Sequence, residues 1–275
     1  MLTMKKNLFI LFLLSSIIVW SNPFKSYEDK VENVIWHDLI TPNLEESKGF
    51  YGDLLGWSYQ TFNVKGFKYA LIENNGEVIG GMIEVVTTKS SVWVSSLSVS
   101  PQEMRKRVET ITANGAQLVI KPLKIPGRGK QLIFKGLQGE TFSLITENNQ
   151  IVKTKNSDKN GNWYGIELWA NDIQKAKDFY KKAFNVDSKE DTFDNKPYNY
   201  FMLNNIKVGG LIKNPLTNMD SQWVPYLNIQ NLNSIVEKVA NLKGEVILSP
   251  NKNIRNGSIG IIQDSFGAIL CIQKK

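Results

Sequence analysis

The chain has 275 residues, 42% of them hydrophobic and 21% charged, with 20 Gly, 9 Pro and a single Cys. That mixture excludes a disordered chain, a collagen-like repeat and a disulfide scaffold, and the length predicts two domains, each with enough chain to bury its own core. The formal charge of +7 comes from 33 Lys+Arg against 26 Asp+Glu, and the basic residues are scattered rather than run together, so no nucleic-acid partner is expected.

In chain order, residues 1–21 read MLTMKKNLFILFLLSSIIVWS. Lys5 and Lys6 precede a mostly apolar run over 8–20, shorter than the roughly 20 residues that a membrane-spanning helix needs. The pattern predicts a signal peptide with a small-x-small cleavage site at Val19-Trp20-Ser21, an uncleaved N-terminal membrane anchor being the alternative. No Cys follows the apolar run, so it is not a lipoprotein signal, and Cys271 alone cannot form an intramolecular disulfide. An exported, periplasmic protein without a stable membrane span is expected.

From residue 33 onward the chain repeats itself. Phe50-Tyr51 recurs as Phe179-Tyr180, and Gly80-Gly81 as Gly209-Gly210, both at an offset of 129 residues. Trp93 matches Trp223, Gly115 matches Gly244 and Gly139 matches Gly267 at offsets of 130, 129 and 128. Landmarks that hold one offset along each copy mark a tandem duplication. Domains are expected at 33–146 and 162–275, joined by a polar, Lys/Asn-rich linker at 147–161.

In the first copy, 34–41 reads as a strand and Thr41-Pro42 as the start of a helix, with Pro42 at its first position. Leu44, Phe50, Tyr51, Leu54 and Leu55 form that helix's apolar face, and Gly56 stops it. Strands follow at 58–63, 67–73 and 78–86. The order then begins again with strand 92–99, helix 101–114 and strands 118–121, 131–134 and 141–145. The second copy has helices at 172–184 and 231–242 and closing strands at 258–263 and 268–273. Each copy is thus two βαβββ units, an α+β fold.

This order resembles the vicinal oxygen chelate superfamily, the glyoxalase, bleomycin-resistance and extradiol-dioxygenase group, and is most similar to its tandem glyoxalase-like proteins. The resemblance is carried by Trp36-His37-Asp38-Leu39-Ile40-Thr41 with Asn43, by Glu167-Leu168 with Asp172, and by the endings Gln138-Gly139-Glu140-Thr141-Phe142-Ser143-Leu144 and Asp264-Ser265-Phe266-Gly267-Ala268-Ile269-Leu270-Cys271-Ile272. It implies a curled sheet in each copy, with helices on the convex side and a cup on the other. Strand alternation then divides the first strand into Ile35, His37 and Leu39 on one face and Trp36, Asp38 and Ile40 on the other. The aliphatic face should meet the helix, leaving Trp36/Asp38 and Gly165/Glu167 toward the cups.

Metal-dependent members of the superfamily place ligands at positions that fall here on Trp36, Val94 and Ser143 in copy one and on Gly165, Val224 and Cys271 in copy two. His37, the one His, lies a residue out of that register. No transition metal and no other cofactor are expected; an oxygen-only Mg or Ca site stays open on this reading. Asp38 and Glu167 are candidate general bases, or else carboxylates that fix the curl of the sheet. Trp36, Tyr69, Trp93, Trp169, Tyr200, Trp223, Tyr226 and Cys271 are candidate ligand-binding residues that could stack a flat organic molecule, or else pack the core. Gly80-Gly81 and Gly209-Gly210 are expected to permit a close approach or a bulge, and Pro126-Gly127-Arg128 with Gly129-Lys130 reads as a hairpin turn. Three functions follow: a metal-independent binder of a small organic molecule, a lyase or isomerase using Asp38 or Glu167, and a non-catalytic interaction module. The oligomeric state is not legible.

Overall fold

The computed structural model describes residues 34–64, 66–125, 129–146, 159–193 and 196–275. The signal at 1–21, most of the linker and Pro126-Gly127-Arg128 lie outside the described residues. The first copy runs β1 (Val34–Thr41), α1 (Leu44–Leu55), β2 (Ser58–Val64), β3 (Phe67–Asn74), β4 (Glu77–Glu84), then β5 (Val92–Val99), α2 (Met104–Ala113), β6 (Gln117–Ile125), β7 (Gly129–Lys135) and β8 (Thr141–Thr146). The second runs β9 (Trp163–Ala170), α3 (Ile173–Phe184), β10 (Asp187–Phe193), β11 (Lys196–Leu203), β12 (Ile206–Lys213), then β13 (Gln222–Asn228), α4 (Leu232–Asn241), β14 (Glu245–Leu248), β15 (Ile259–Gln263) and β16 (Ile269–Gln273). Each copy builds one eight-stranded mixed sheet, ordered β2-β3-β4-β1-β5-β8-β7-β6 and β10-β11-β12-β9-β13-β16-β15-β14. Within each sheet the two βαβββ units meet along one central antiparallel seam, β1 with β5 and β9 with β13.

Local chemistry sets the helix ends. The Asn43, Asp172 and Asn231 side chains each accept a backbone N–H three residues on, satisfying a donor that the first helical turn leaves open. Pro42 therefore sits one place before the cap rather than inside the helix. Helix α1 stops at Gly56 with φ +75°, and α3 at Asn185 with φ +56°; Gly and Asn are the residues that enter this left-handed region most readily.

The cores are not one per copy, as the length had suggested. On the helix side, Leu39, Ala70, Met82 and the α1 residues Phe50, Tyr51 and Leu54 share a core with Leu227, Leu232, Ile235, Val239 and Ile272 of the second copy. A matching core joins Ile111, Phe134, Phe142 and Leu144 to Phe179, Tyr180, Phe184 and Phe201. Unit one thus buries against unit four, and unit two against unit three, with α1 on α4 and α2 on α3. The hairpins that close each sheet reach across the join in the same way. Ser91 N–H donates to Phe266 O at 2.9 Å, and Ser221 N–H to Gln138 O at 3.0 Å. The concave faces hold smaller cores of their own: Ile40, Tyr69, Val94 and Ile133 in the first sheet, and Tyr164, Trp169, Val224, Tyr226, Ile261 and Cys271 in the second. Among the described residues no helix is long and apolar enough to cross a membrane.

Candidate functional site

Alternation along β1 and β9 turns Asp38 and Glu167 away from the helices and into the two cups, where only 2% and 4% of their surfaces are exposed. A buried carboxylate must be met by donors, and both are. Asp38 Oδ1 accepts Trp36 Nε1–H and Tyr69 O–H, each at 3.0 Å, and Oδ2 accepts the Gln131 amide at 2.8 Å. Glu167 Oε1 accepts Tyr198 O–H at 2.5 Å and Arg255 Nη2–H at 2.7 Å; Oε2 accepts Tyr226 O–H and, at 3.3 Å, Trp169 Nε1–H. Tyr69 and Tyr198 are separated by the repeat offset and do the same work. The tryptophans differ: Trp36 lies two residues before its carboxylate, Trp169 two after, leaving a half-buried Gly165 where copy one has a ring.

The paired glycines explain themselves here. Gly81 lies beside Asp38 across β1 and β4, and Gly210 beside Glu167 across β9 and β12. A Cβ on either would come within 2.0 Å of the tyrosine hydroxyl that bonds the carboxylate. We expect Gly210→Ala to cost about 1–3 kcal/mol through this overpacking, read as a lower denaturant midpoint. A neutral result would mean that Tyr198 is not held against Glu167.

Burial raises the Glu167 pKa, but the Arg255 charge and the hydroxyl donors outweigh it and hold the carboxyl below its usual range. Cys271 is fully buried; burial and the Glu167 charge push its thiol up, which keeps it from being a nucleophilic thiolate. His37 points to the other face of β1, with Nδ1 at 2.9 Å from Ser95 Oγ and its ring 4.4 Å from that of Trp163. Burial, opposed by Asp38, lowers its pKa from 6.5 to about 3. The folded chain thus refuses a proton that the unfolded chain takes up. Its stability contribution is complete above pH 6.5 and is lost as pH falls toward about 3, by up to about 1.4 kcal/mol per pH unit. His37→Asn should flatten this part of a stability–pH curve measured by urea unfolding; equal slopes for both proteins would mean that the ring is not kept neutral.

Of the candidate ligand-binding residues, Trp36 and Tyr69 face the first cup, and Trp169, Tyr226 and Cys271 belong to the core of the second. Tyr200 stands beside Tyr198, ring centroids 4.6 Å apart, with Lys207 Nζ 3.7 Å from its own centroid. Trp93 and Trp223 are not in the cups. They lie on the helix side, donating to Tyr51 Oη at 3.0 Å and Tyr180 Oη at 2.6 Å. The β1/β5 register also corrects the second ligand position: Trp36 pairs with Ser96, whereas Val94 pairs with Asp38. Its counterpart in copy two is Tyr226, paired with Gly165. Gln131, Ser96, Tyr198 and Arg255 are members of the two clusters that pattern reading overlooked. The repeat offset from Tyr69 points to Tyr198, but nothing in the sequence marks Arg255.

No family model matches the chain. It is 22% identical, over 246 residues covering 87% of the chain and 93% of the relative, to the Mycobacterium bovis protein named Putative glyoxylase CFP32. Among solved structures, a variant of homoprotocatechuate 2,3-dioxygenase from B. fuscum superimposes with a TM-score of 0.59 at 13% identity, over 88% of this chain and 71% of that one. The chain thus has the tandem fold of glyoxalases and extradiol dioxygenases. The Mn(II)-bound glyoxalase from Novosphingobium aromaticivorans aligns comparably, with a TM-score of 0.58 at 11% identity, over 89% and 82% of the two chains. A metal of that kind does not fit the donors present here. The three side-by-side concave positions hold Trp36, Ser96 and Ser143 in one sheet and Gly165, Tyr226 and Cys271 in the other. Among the described residues no group of three or more His, Cys, Asp or Glu is gathered that could hold an ion.

Proposed function

We propose that this is a metal-independent, glyoxalase-like protein that binds a small organic molecule in the concave face of its second sheet. One contrast carries the reading. In the first cup Trp36, Asp38, Tyr69, Ser96, Gln131 and Ser143 are all buried, whereas in the second Tyr198 and Gly165 are half-buried around the buried Glu167–Arg255 pair, so the edge of its polar centre reaches the surface. A ligand entering there meets tyrosine rings and a fixed ion pair, a mostly apolar wall with a few oriented polar groups. A lyase or isomerase using Glu167 or Asp38 as base is less well supported: the oxygens of both carboxylates are already engaged by donors, and Glu167 is held below its usual carboxylate range. The first cup favours a non-catalytic, structural role, since the Gln131 amide fills the space between Asp38, Ser96 and Ser143.

Export is part of the proposal and rests on the N-terminal pattern of Lys5-Lys6 and the apolar run. N-terminal sequencing of protein recovered from the periplasm, starting near Asn22, would support it; an intact Met1 in a membrane fraction would favour the anchor. For the pocket, a thermal-shift screen against a panel of aromatic and polar metabolites should yield compounds that raise the melting temperature. Gly165→Trp, which imports the ring of copy one, should abolish the shift while leaving the circular dichroism spectrum unchanged. A shift that survives this substitution would place the ligand elsewhere.

A further inference from the structure

Both cups share one construction. In each, three neighbouring strands converge on a carboxylate, and one nitrogen-bearing side chain from the β7 region or its counterpart enters the convergence point. In the first sheet this is Gln131 on β7, whose Nε2 lies 2.8 Å from Asp38 Oδ2, 3.1 Å from Ser96 Oγ and 3.0 Å from Ser143 Oγ. In the second it is Arg255, in the short turn Arg255–Gly257 that leads into β15. Its Nη2 is 2.7 Å from Glu167 Oε1 and its Nη1 3.4 Å from Tyr226 Oη. The Arg255 backbone is left-handed, with φ +43°, as is that of Asn256, with φ +52°. Non-glycine residues other than Asn seldom adopt this conformation, and here it accompanies a guanidinium turned inward onto Glu167. Only 9% of its side chain and 5% of that of Glu167 are exposed.

We infer that Arg255 is a built-in cation: its guanidinium supplies at the centre of the second cup the positive charge that a divalent ion would bring, and by doing so keeps such an ion out. Gln131 is the neutral counterpart in the first cup. This rests on the metal-independent reading above and goes further, naming the residue responsible and what its removal uncovers. A carboxylate buried this deeply needs a counter-charge or a proton. Without the guanidinium, Glu167 keeps only neutral donors, the Tyr198 and Tyr226 hydroxyls and the Trp169 indole N–H, and Cys271 neighbours Tyr226 across β13 and β16. Carboxylate, thiol and phenol oxygen form a donor set suited to zinc or cobalt once the thiol gives up its proton.

The test uses metal-free full-length protein and the ions alone, with no organic ligand, so its outcome is independent of whether the small-molecule screen succeeds. Wild type, Arg255→Ala, Arg255→Lys and the double variant Arg255→Ala/Cys271→Ser are dialysed against Zn²⁺ and Co²⁺. Arg255→Ala should bind one ion at least about tenfold more tightly than wild type and show a thiolate-to-cobalt charge-transfer absorption. Arg255→Lys, which keeps the charge, should behave as wild type, and the double variant should lose the absorption. Should Arg255→Ala fail to fold, Arg255→Gln keeps the length and a donor without the charge, and Zn²⁺ should raise its melting temperature but not that of wild type. Equal ion binding by wild type and the charge-removed variants, or no gain in any folded variant, overturns the inference.

Discussion

Replacing Glu167 by Ala is expected to lower the unfolding free energy by about 3–5 kcal/mol, because it strands the buried guanidinium of Arg255 without its partner. Arg255→Met should cost a similar amount at neutral pH, since it strands the carboxylate instead. The pair together, Glu167→Met with Arg255→Met, should recover most of the loss. Two charges withdrawn from water repay their desolvation only through each other, and an apolar pair of similar volume has no such debt. A double-mutant cycle in urea measures this directly, and simple additivity of the two losses would mean that the pair is not coupled. Asp38→Ala in the first cup, where the donors are neutral, should cost less, about 1–3 kcal/mol. The pH dependence has a definite sign. The Glu167 pKa is lowered on folding, so the contribution is present above its ordinary value of 4.5 and lost as pH falls through the lowered one.

Much of this arrangement is legible in the sequence because it depends on periodicities. The 129-residue offset ties Phe50-Tyr51 to Phe179-Tyr180, and a period of two along β1 is enough to place Asp38 opposite Leu39. The same period leaves Trp93 and Val94 on opposite faces of β5 without saying which face meets a helix, since both residues are apolar; only sheet curvature decides, and it sends Trp93 to the helices. Register is the second limit. Counting along one strand nominates Val94, whereas the hydrogen-bonded neighbour of Trp36 is Ser96, because antiparallel pairing reverses the direction of counting. Arg255 is the third. It lies in an irregular turn, outside any period, and its counterpart in copy one is an amide from a strand, so the repeat that reveals Tyr198 conceals Arg255.

The join between the copies offers the second large effect. Tyr51→Phe removes one oxygen from α1 and should destabilise the whole chain by about 2–5 kcal/mol. Tyr51 Oη accepts Trp93 Nε1–H at 3.0 Å and donates to Asp264 Oδ2 at 3.2 Å, so one hydroxyl of α1 links β5 of its own copy to the turn after β15 of the other. Without it a buried indole N–H and a buried carboxylate oxygen both lose a partner, each at about 1–3 kcal/mol. For a chain of this size, each kcal/mol lowers the melting temperature by about 2–4 °C. Burial, partly offset by backbone donors and by Tyr51, raises the Asp264 pKa. A raised carboxyl contributes most at pH values below its ordinary value of 3.8, and that contribution is lost as pH rises through the folded value. The phenol is one of the groups that limit this loss, so the deficit of Tyr51→Phe should be larger at about pH 7 than at about pH 4. Tyr180 holds the mirror position. It accepts Trp223 Nε1–H at 2.6 Å, and its phenol is pushed up by burial and by the nearby Glu140 of the first copy. Tyr180→Phe should therefore weaken the same join from the other end, and the two substitutions, which fall in two separate cores shared by the copies, should add. Melting curves that split into two transitions in either variant would show that the copies unfold separately, and that the shared cores do not bind them into one cooperative unit.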